Sequence, residues 1–284
     1  NYYNSLLADP ELIKGVLKDE LTAIRDKFGD KRMTEIQDIA DEIDIEDLIE
    51  EEQCVYTLTH GGYIKRLPVS EYRAQGRGGK GIRAMSTKDE DYVETVFTAS
   101  THDNILFFTS KGRVYIKKGY NIPEAGRNAR GTNIVNIIQI DSAESGEKVS
   151  AMIRGRNLEE DCFLFFVTKN GTVKRMSQTA LKNIRANGIR ALNLDEGDEL
   201  ISVLSTTGDE NILIATRNGY AVCFNEQDVR PMGRLAVGVR GIRLRGDDFV
   251  VGAGSTSSGA ALLTITEKGY GKRTDVNEYS VHGR

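Results

Sequence analysis

The chain has 284 residues, 39% of them hydrophobic and 28% charged, with a formal net charge of −4. That length can bury a sizeable core as one large domain or two smaller ones. The composition is that of a soluble protein, and no uncharged apolar run reaches the roughly 18 residues that a membrane span needs.

The opening residues 1–7 have no basic stretch leading into an apolar run, so they do not read as a signal peptide. They read as the middle of a longer chain. Asp9-Pro10 then offers an N-cap followed by proline at the first helical position. Leu12, Ile13, Val16, Leu17, Leu21, Ile24 and Phe28 recur at helical spacing, and Gly29 supplies a stop. The pattern predicts an amphipathic helix over about 10–28, whose apolar side needs a neighbour. Residues 38–52 are strongly acidic and read as a linker or short exposed helix. Residues 1–52 carry a charge of −10 and residues 53–284 a charge of +6, so an acidic front precedes a basic body. This asymmetry hints at a polyanionic partner for the body.

After Glu52 short β-prone runs alternate with glycine-containing turns, and the chain repeats itself. An apolar strand, a Thr, two residues, a Gly and a second strand recur five times. The markers are Thr59 and Gly62, Thr109 and Gly112, Thr168 and Gly171, Thr216 and Gly219, and Thr266 and Gly269. The glycines are 50, 59, 48 and 50 residues apart. Asn170-Gly171 and Asn218-Gly219 accept the positive φ of tight hairpins. Two more apolar runs follow each hairpin, near 134–139 and 149–154 in the second repeat and near 190–194 and 200–204 in the third. Four short strands per repeat make a propeller-type blade, and blades must stack to bury their faces. The expected fold is mainly β, a ring of four-stranded blades preceded by a short helical segment.

Between the first hairpin and its third strand lies Gln75-Gly76-Arg77-Gly78-Gly79-Lys80-Gly81. Glycines let backbone N–H groups approach a phosphate, and Arg77 and Lys80 add charge. The formal GxGxxG match has β texture on both sides, without the buried strand and following helix of a dinucleotide site, and is rejected. A P-loop needs Ser or Thr after its Lys, where Gly81 stands. Composition alone leaves phosphate binding and a solvated loop both open. Later repeats place arginine near glycine at the same phase: Arg127 and Arg130, then Arg185 and Arg190, then Arg234 and Arg240, with Gly283-Arg284 at the end. Stacked blades would align these loops into a curved cationic track suited to a bent duplex held by its phosphates. Each arginine, taken singly, also fits an ordinary surface position.

Cys54, Cys162 and Cys223 are odd in number, widely spaced and without a CxxC pair, so they read as reduced residues buried in strands of a cytoplasmic protein. His60, His102 and His282 stand alone. No catalytic or metal-ligating constellation can be assembled, and no cofactor is expected in this segment.

Residues 75–81 resemble the gyrase A box, usually Gln-Arg-Arg-Gly-Gly-Arg/Lys-Gly, at six of seven positions, Gly76 replacing a cation. With the repeat and the upstream helix, the whole chain resembles the gyrase A family. The resemblance implies a β-pinwheel over 53–284, nominally six blades with about five present, an acidic linker over 36–52 and, over 1–35, the helical end of the breakage-reunion and coiled-coil region. It implies that this segment wraps double-stranded DNA in a positive sense, with Gln75, Gly76, Arg77, Gly78, Gly79, Lys80 and Gly81 as the directing box. It further implies a gyrase heterotetramer, two A chains with two B chains, that supercoils DNA negatively. ATP and Mg²⁺ would be held by the gyrase B chains, and the DNA-cleaving tyrosine would lie upstream of this segment. Two alternatives stand beside it. One is the corresponding DNA-binding chain of topoisomerase IV, which shares the pinwheel but has a degenerate box. The other is a propeller-type protein-interaction scaffold, against which the repeated arginine–glycine loops and the absence of Trp both speak.

Overall fold

A computed structural model describes residues 2–30, 45–72, 85, 87, 91–140, 146–155 and 162–284. They fall into two compact units, Asn1–Asp47 and Leu48–Arg284. In the first, α1 (Tyr2–Ala8) precedes α2 (Pro10–Phe28). The expected α2 is present at the expected bounds because its ends are written locally. The Asp9 carboxylate accepts the Glu11 N–H at 2.9 Å, and Pro10 occupies the first turn. Gly29 ends the helix in extended backbone at φ −72°, not in the left-handed form usual for a terminating glycine. Leu12, Leu17, Leu21, Ile24 and Phe28 are exposed. The helix α1 has no comparable signal in the sequence.

The second unit repeats one plan. The first repeat holds β1 (Gln53–Thr59), β2 (Tyr63–Pro68) and β3 (Val93–Ser100). The second holds β4 (Asn104–Thr109), β5 (Arg113–Lys118), the two-residue β6 (Thr132–Asn133) and β7 (Val149–Gly155). The third holds β8 (Phe163–Thr168), β9 (Thr172–Ser177), β10 (Ile189–Arg190) and β11 (Leu200–Thr206). The fourth holds β12 (Asn211–Thr216), β13 (Ala221–Asn225), β14 (Val239–Arg240) and β15 (Val250–Ser255), and the fifth β16 (Ala261–Ile265) and β17 (Gly271–Asp275). Every pairing among them is antiparallel. The described strands make four blades, three of four strands and one of three, followed by a hairpin.

One expectation needs correction. The four strands of a blade do not come from one repeat. In repeats two, three and four the third run crosses over: β6 pairs with β2, β10 with β5 and β14 with β9, each in the blade before. Only its first two residues are strand, and in repeat two it then turns at once into a 3₁₀ helix (Ile134–Asn136). Each of the first three blades is thus closed by its successor, which ties neighbours together through backbone hydrogen bonds.

The Thr-x-x-Gly marker is the hairpin turn itself. In all five copies the glycine has φ between 75° and 85° and its N–H bonds the Thr carbonyl at 2.9–3.0 Å. The Thr hydroxyl accepts the N–H of the residue after the glycine at 3.1–3.2 Å. The Thr closes the loop on the strand side and the glycine supplies the left-handed conformation the turn demands. In the first, third and fourth repeats a carboxylate ahead of the last strand brackets the same turn. Asp91 accepts from Gly61 and Tyr92 N–H, Asp198 from Asn170 and Glu199, and Asp248 from Asn218 and Phe249, all at 2.8–3.0 Å.

The core lies between blades, which explains the unbroken apolar runs. In β4, Ile105 and Phe107 pack with Tyr56 and Leu58 of the first blade, while Leu106 and Phe108 pack with Leu164 and Phe166 of the third. In β8, Phe165 and Val167 turn the other way, onto Ile212 and Phe224. Alternate side chains of a strand point to opposite faces, and here both faces are buried, so no polar alternation survives. The tail of the acidic stretch joins this unit: Glu51 accepts from the Ser100 hydroxyl at 2.8 Å, and Glu52 lies 3.3 Å from Arg66.

Candidate nucleic-acid interface

The arginine-bearing loops lead into β6, β10 and β14, so each sits at the seam where one repeat reaches back to the blade before it. Each contains a tight turn. Ala129 N–H bonds Gly126 O at 2.8 Å, Gly188 N–H bonds Arg185 O at 2.8 Å, and Ala236 N–H bonds Gly233 O at 3.1 Å. The glycines after or within these turns have a structural reason. Gly131, Gly188 and Gly238 have φ of 85°, 71° and 120°, and a Cβ on any of them would strike the preceding blade, at Ile64, Tyr115 or Val173. Seating the loop on a strand therefore accounts for their recurrence without any phosphate.

The arginines have no such packing role. Arg127, Arg130, Arg185, Arg190, Arg234 and Arg240 are all exposed. Arg130 lies over the Tyr63 ring at 5.4 Å, and Arg190 donates to Asn193 Oδ1 at 3.2 Å. Asn193 in turn donates to Leu235 O at 2.7 Å, linking the loops of repeats three and four. Arg240 lines a small cavity with Arg243 and Arg284, and Arg284 donates to Asp228 O and Arg240 O. Sequence reading missed Arg243. It falls outside the arginine–glycine phase, and the fold alone brings it beside Arg240. The box, Gln75 to Gly81, lies outside the described residues. It begins three residues after Tyr72, whose neighbours Ser70 and Glu71 line an open depression with Gly126, Arg127 and Asn128.

Two lysines that the sequence shows only as strand residues sit beneath these loops. Lys65 of β2 and Lys174 of β9 are fully buried. Lys65 Nζ donates to Gly126 O, Arg127 O and Ala129 O at 3.1, 2.8 and 3.0 Å. Lys174 Nζ donates to Ala191 O, Arg234 O and Ala236 O at 2.7, 2.7 and 3.2 Å. The adjacent Arg66 and Arg175 are also used internally. Arg175 stacks on Phe163 at 3.9 Å and pairs at 3.2 Å with Glu226, which is fully buried and also accepts from Thr206 and from the Gly208 and Glu210 N–H groups. The chemistry available is electrostatic: guanidinium groups on successive seams can hold phosphates. Burial pushes the Cys54 and Cys223 thiols up, away from the thiolate a nucleophile would need.

This architecture has known counterparts. The chain is 50% identical over 283 residues to the DNA gyrase A protein of Staphylococcus epidermidis, spanning 98% of itself and 31% of that relative. The solved structure of a DNA gyrase A C-terminal domain matches with a TM-score of 0.67 at 29% identity, over 82% of this chain and 75% of that one. A DNA topoisomerase IV C-terminal domain matches equally well, with a TM-score of 0.67 at 28% identity over 83% and 71%. The family model for the DNA gyrase C-terminal domain, beta-propeller, matches residues 55–100, 103–154, 163–207, 210–257 and 260–284, one segment for each repeat. With repeat, blade and sequence all in agreement, the chain belongs to the DNA gyrase C-terminal domain family.

Proposed function

We propose that this chain wraps duplex DNA in a positive sense along its arginine-bearing loops, and so directs ATP-dependent negative supercoiling by a type II topoisomerase. The observation that carries the reading is the repetition of exposed arginines at one topological position, the inter-blade seam, on successive blades. Bending DNA around a protein costs on the order of 1–6 kcal/mol per 20–30 bp. No single loop offsets that, whereas contacts summed over several blades can. In the whole enzyme the partners would be a second copy of the gyrase A protein together with two gyrase B proteins. The B proteins would hold ATP and Mg²⁺, and the work would be done in the cytoplasm. The box, with Arg77 and Lys80, would set the direction of the wrap.

Duplex binding measured across a salt series tests the reading. Binding should weaken steeply between about 50 and 200 mM salt. Replacing Arg127, Arg130, Arg185, Arg190, Arg234 and Arg240 together with alanine should flatten that slope. An unchanged slope in a folded variant would place the interface elsewhere. A second reading, the equivalent chain of topoisomerase IV, draws on the equal structural match and on Gly76 in place of a cation in the box. It predicts binding without a chiral wrap.

A further inference from the structure

We propose that Lys65 and Lys174 are positioning residues: without touching DNA, each fixes an arginine-bearing turn from beneath through backbone carbonyl bonds, three to the turn from Lys65 and two from Lys174, whose third bond goes to Ala191. The inference rests on the DNA-wrapping reading and adds residues that composition would assign to phosphate contact or to surface charge. An ammonium has three protons and accepts nothing, and each of these two finds three acceptors within 3.2 Å. Both are fully buried, so no phosphate can reach them. A buried charge is tolerated only where its donors are all met, and the loops meet them. The carbonyls used belong to the turns themselves: Gly126, Arg127 and Ala129 for Lys65, and Arg234 and Ala236 for Lys174. The backbone of Arg127 and of Arg234 is therefore held at its own carbonyl.

The second blade is an internal comparison. Tyr115 stands where Lys65 and Lys174 stand, and its hydroxyl donates to Gln139 O at 2.7 Å, away from the turn. There the loop is held at one carbonyl, Asn187 O, by Arg113 at 2.7 Å. Burial brings the Lys174 amine down to about 8 and lowers Lys65 as well. At neutral pH Lys174 still carries the third proton that its third carbonyl needs.

The test uses Lys65→Met and Lys65→Gln in the full chain, with Lys174→Met as the replicate in another blade. The first readout is amide hydrogen exchange. Lys65→Met should speed exchange at Ala129, whose N–H closes the turn, and leave Ala236 unchanged; Lys174→Met should do the reverse. The second is the salt dependence of duplex binding. Lys65→Met should lower the slope of log K against log salt by about 0.9, the value of one lost phosphate contact, as Arg127→Ala does. The double variant should lose no more than Arg127→Ala alone. Should the Met variant fail to fold, Lys65→Gln, which keeps donors but no charge, gives the same comparison. Unchanged exchange at Ala129, or losses from Lys65 and Arg127 that simply add, would overturn the proposal. Absence of salt-dependent binding by the unsubstituted chain would instead remove the DNA-wrapping reading beneath it, a result that the exchange experiment does not produce.

Discussion

Asp248 shows how much one residue does in this fold, and how little of that can be read ahead. It accepts two N–H groups, from Asn218 before the fourth marker glycine and from Phe249 ahead of β15. Burial opposes its charge, but those bonds, the Thr216 hydroxyl and nearby Arg217 outweigh it and hold the carboxyl below its ordinary 3.8. Asp91 is held down in the same way in the first blade. The stability that each contributes is therefore present above about pH 4 and is lost as pH falls through the lowered value, because the unfolded chain takes up the proton first. Denaturant titrations between about pH 5 and 2 should show Asp248→Asn with a shallower acid loss than the unsubstituted chain; parallel curves would contradict the account. The Thr and Gly of the turn were legible because both sit in one short segment and the glycine has a conformational reason to recur. The bracketing aspartate was not, since it lies about thirty residues away. The burial of Lys65 and Lys174 was equally hidden, because strand alternation marks a face and cannot say that the face will be covered by a loop of the next repeat.

Among elements, the hairpins, the repeat and α2 could be read from local signals: turn glycines, apolar runs and an N-cap. The crossover could not. A two-residue strand such as Val239–Arg240 has no periodicity, and its partner Thr172–Val173 lies more than sixty residues back. The consequence is energetic as well as topological, since blades are joined by polar ties as well as by apolar contact. Two ties look alike in sequence and differ in burial. Arg175 and Glu226 are 9% and 0% exposed, whereas Arg66 meets Glu52 and Glu124 that are 39% and 51% exposed. Removing one partner of a buried pair strands a charge and costs about 3–5 kcal/mol, while an exposed pair contributes about 0–1 kcal/mol. Equilibrium unfolding should thus find Glu226→Ala destabilised by about 3–5 kcal/mol and Glu124→Ala by under about 1 kcal/mol. Similar losses in both would mean that the third and fourth blades are not joined as described.

For the whole molecule, the blade repeat and the charge contrast between residues 1–52 and 53–284 were visible from the start, and the family likeness followed from the box and the repeat together. The alignment of the arginine-bearing loops was expected from stacked blades, but their place at the inter-blade seams was not visible. Their glycines seat loops against the preceding blade, and the arginines are left outward at each seam. On the proposed reading that arrangement would hold DNA by its phosphates and take its direction from the order in which blades follow one another, so chirality of the wrap is the central claim. It is tested most directly by sealing nicked circular DNA with ligase in the presence of increasing amounts of the chain and reading the linking number of the products on a gel. The account predicts a positive shift that grows with protein and is lost when the seam arginines are replaced. Binding without a shift would contradict positive wrapping and favour the topoisomerase IV reading, and no binding even at low salt would contradict the nucleic-acid interface itself.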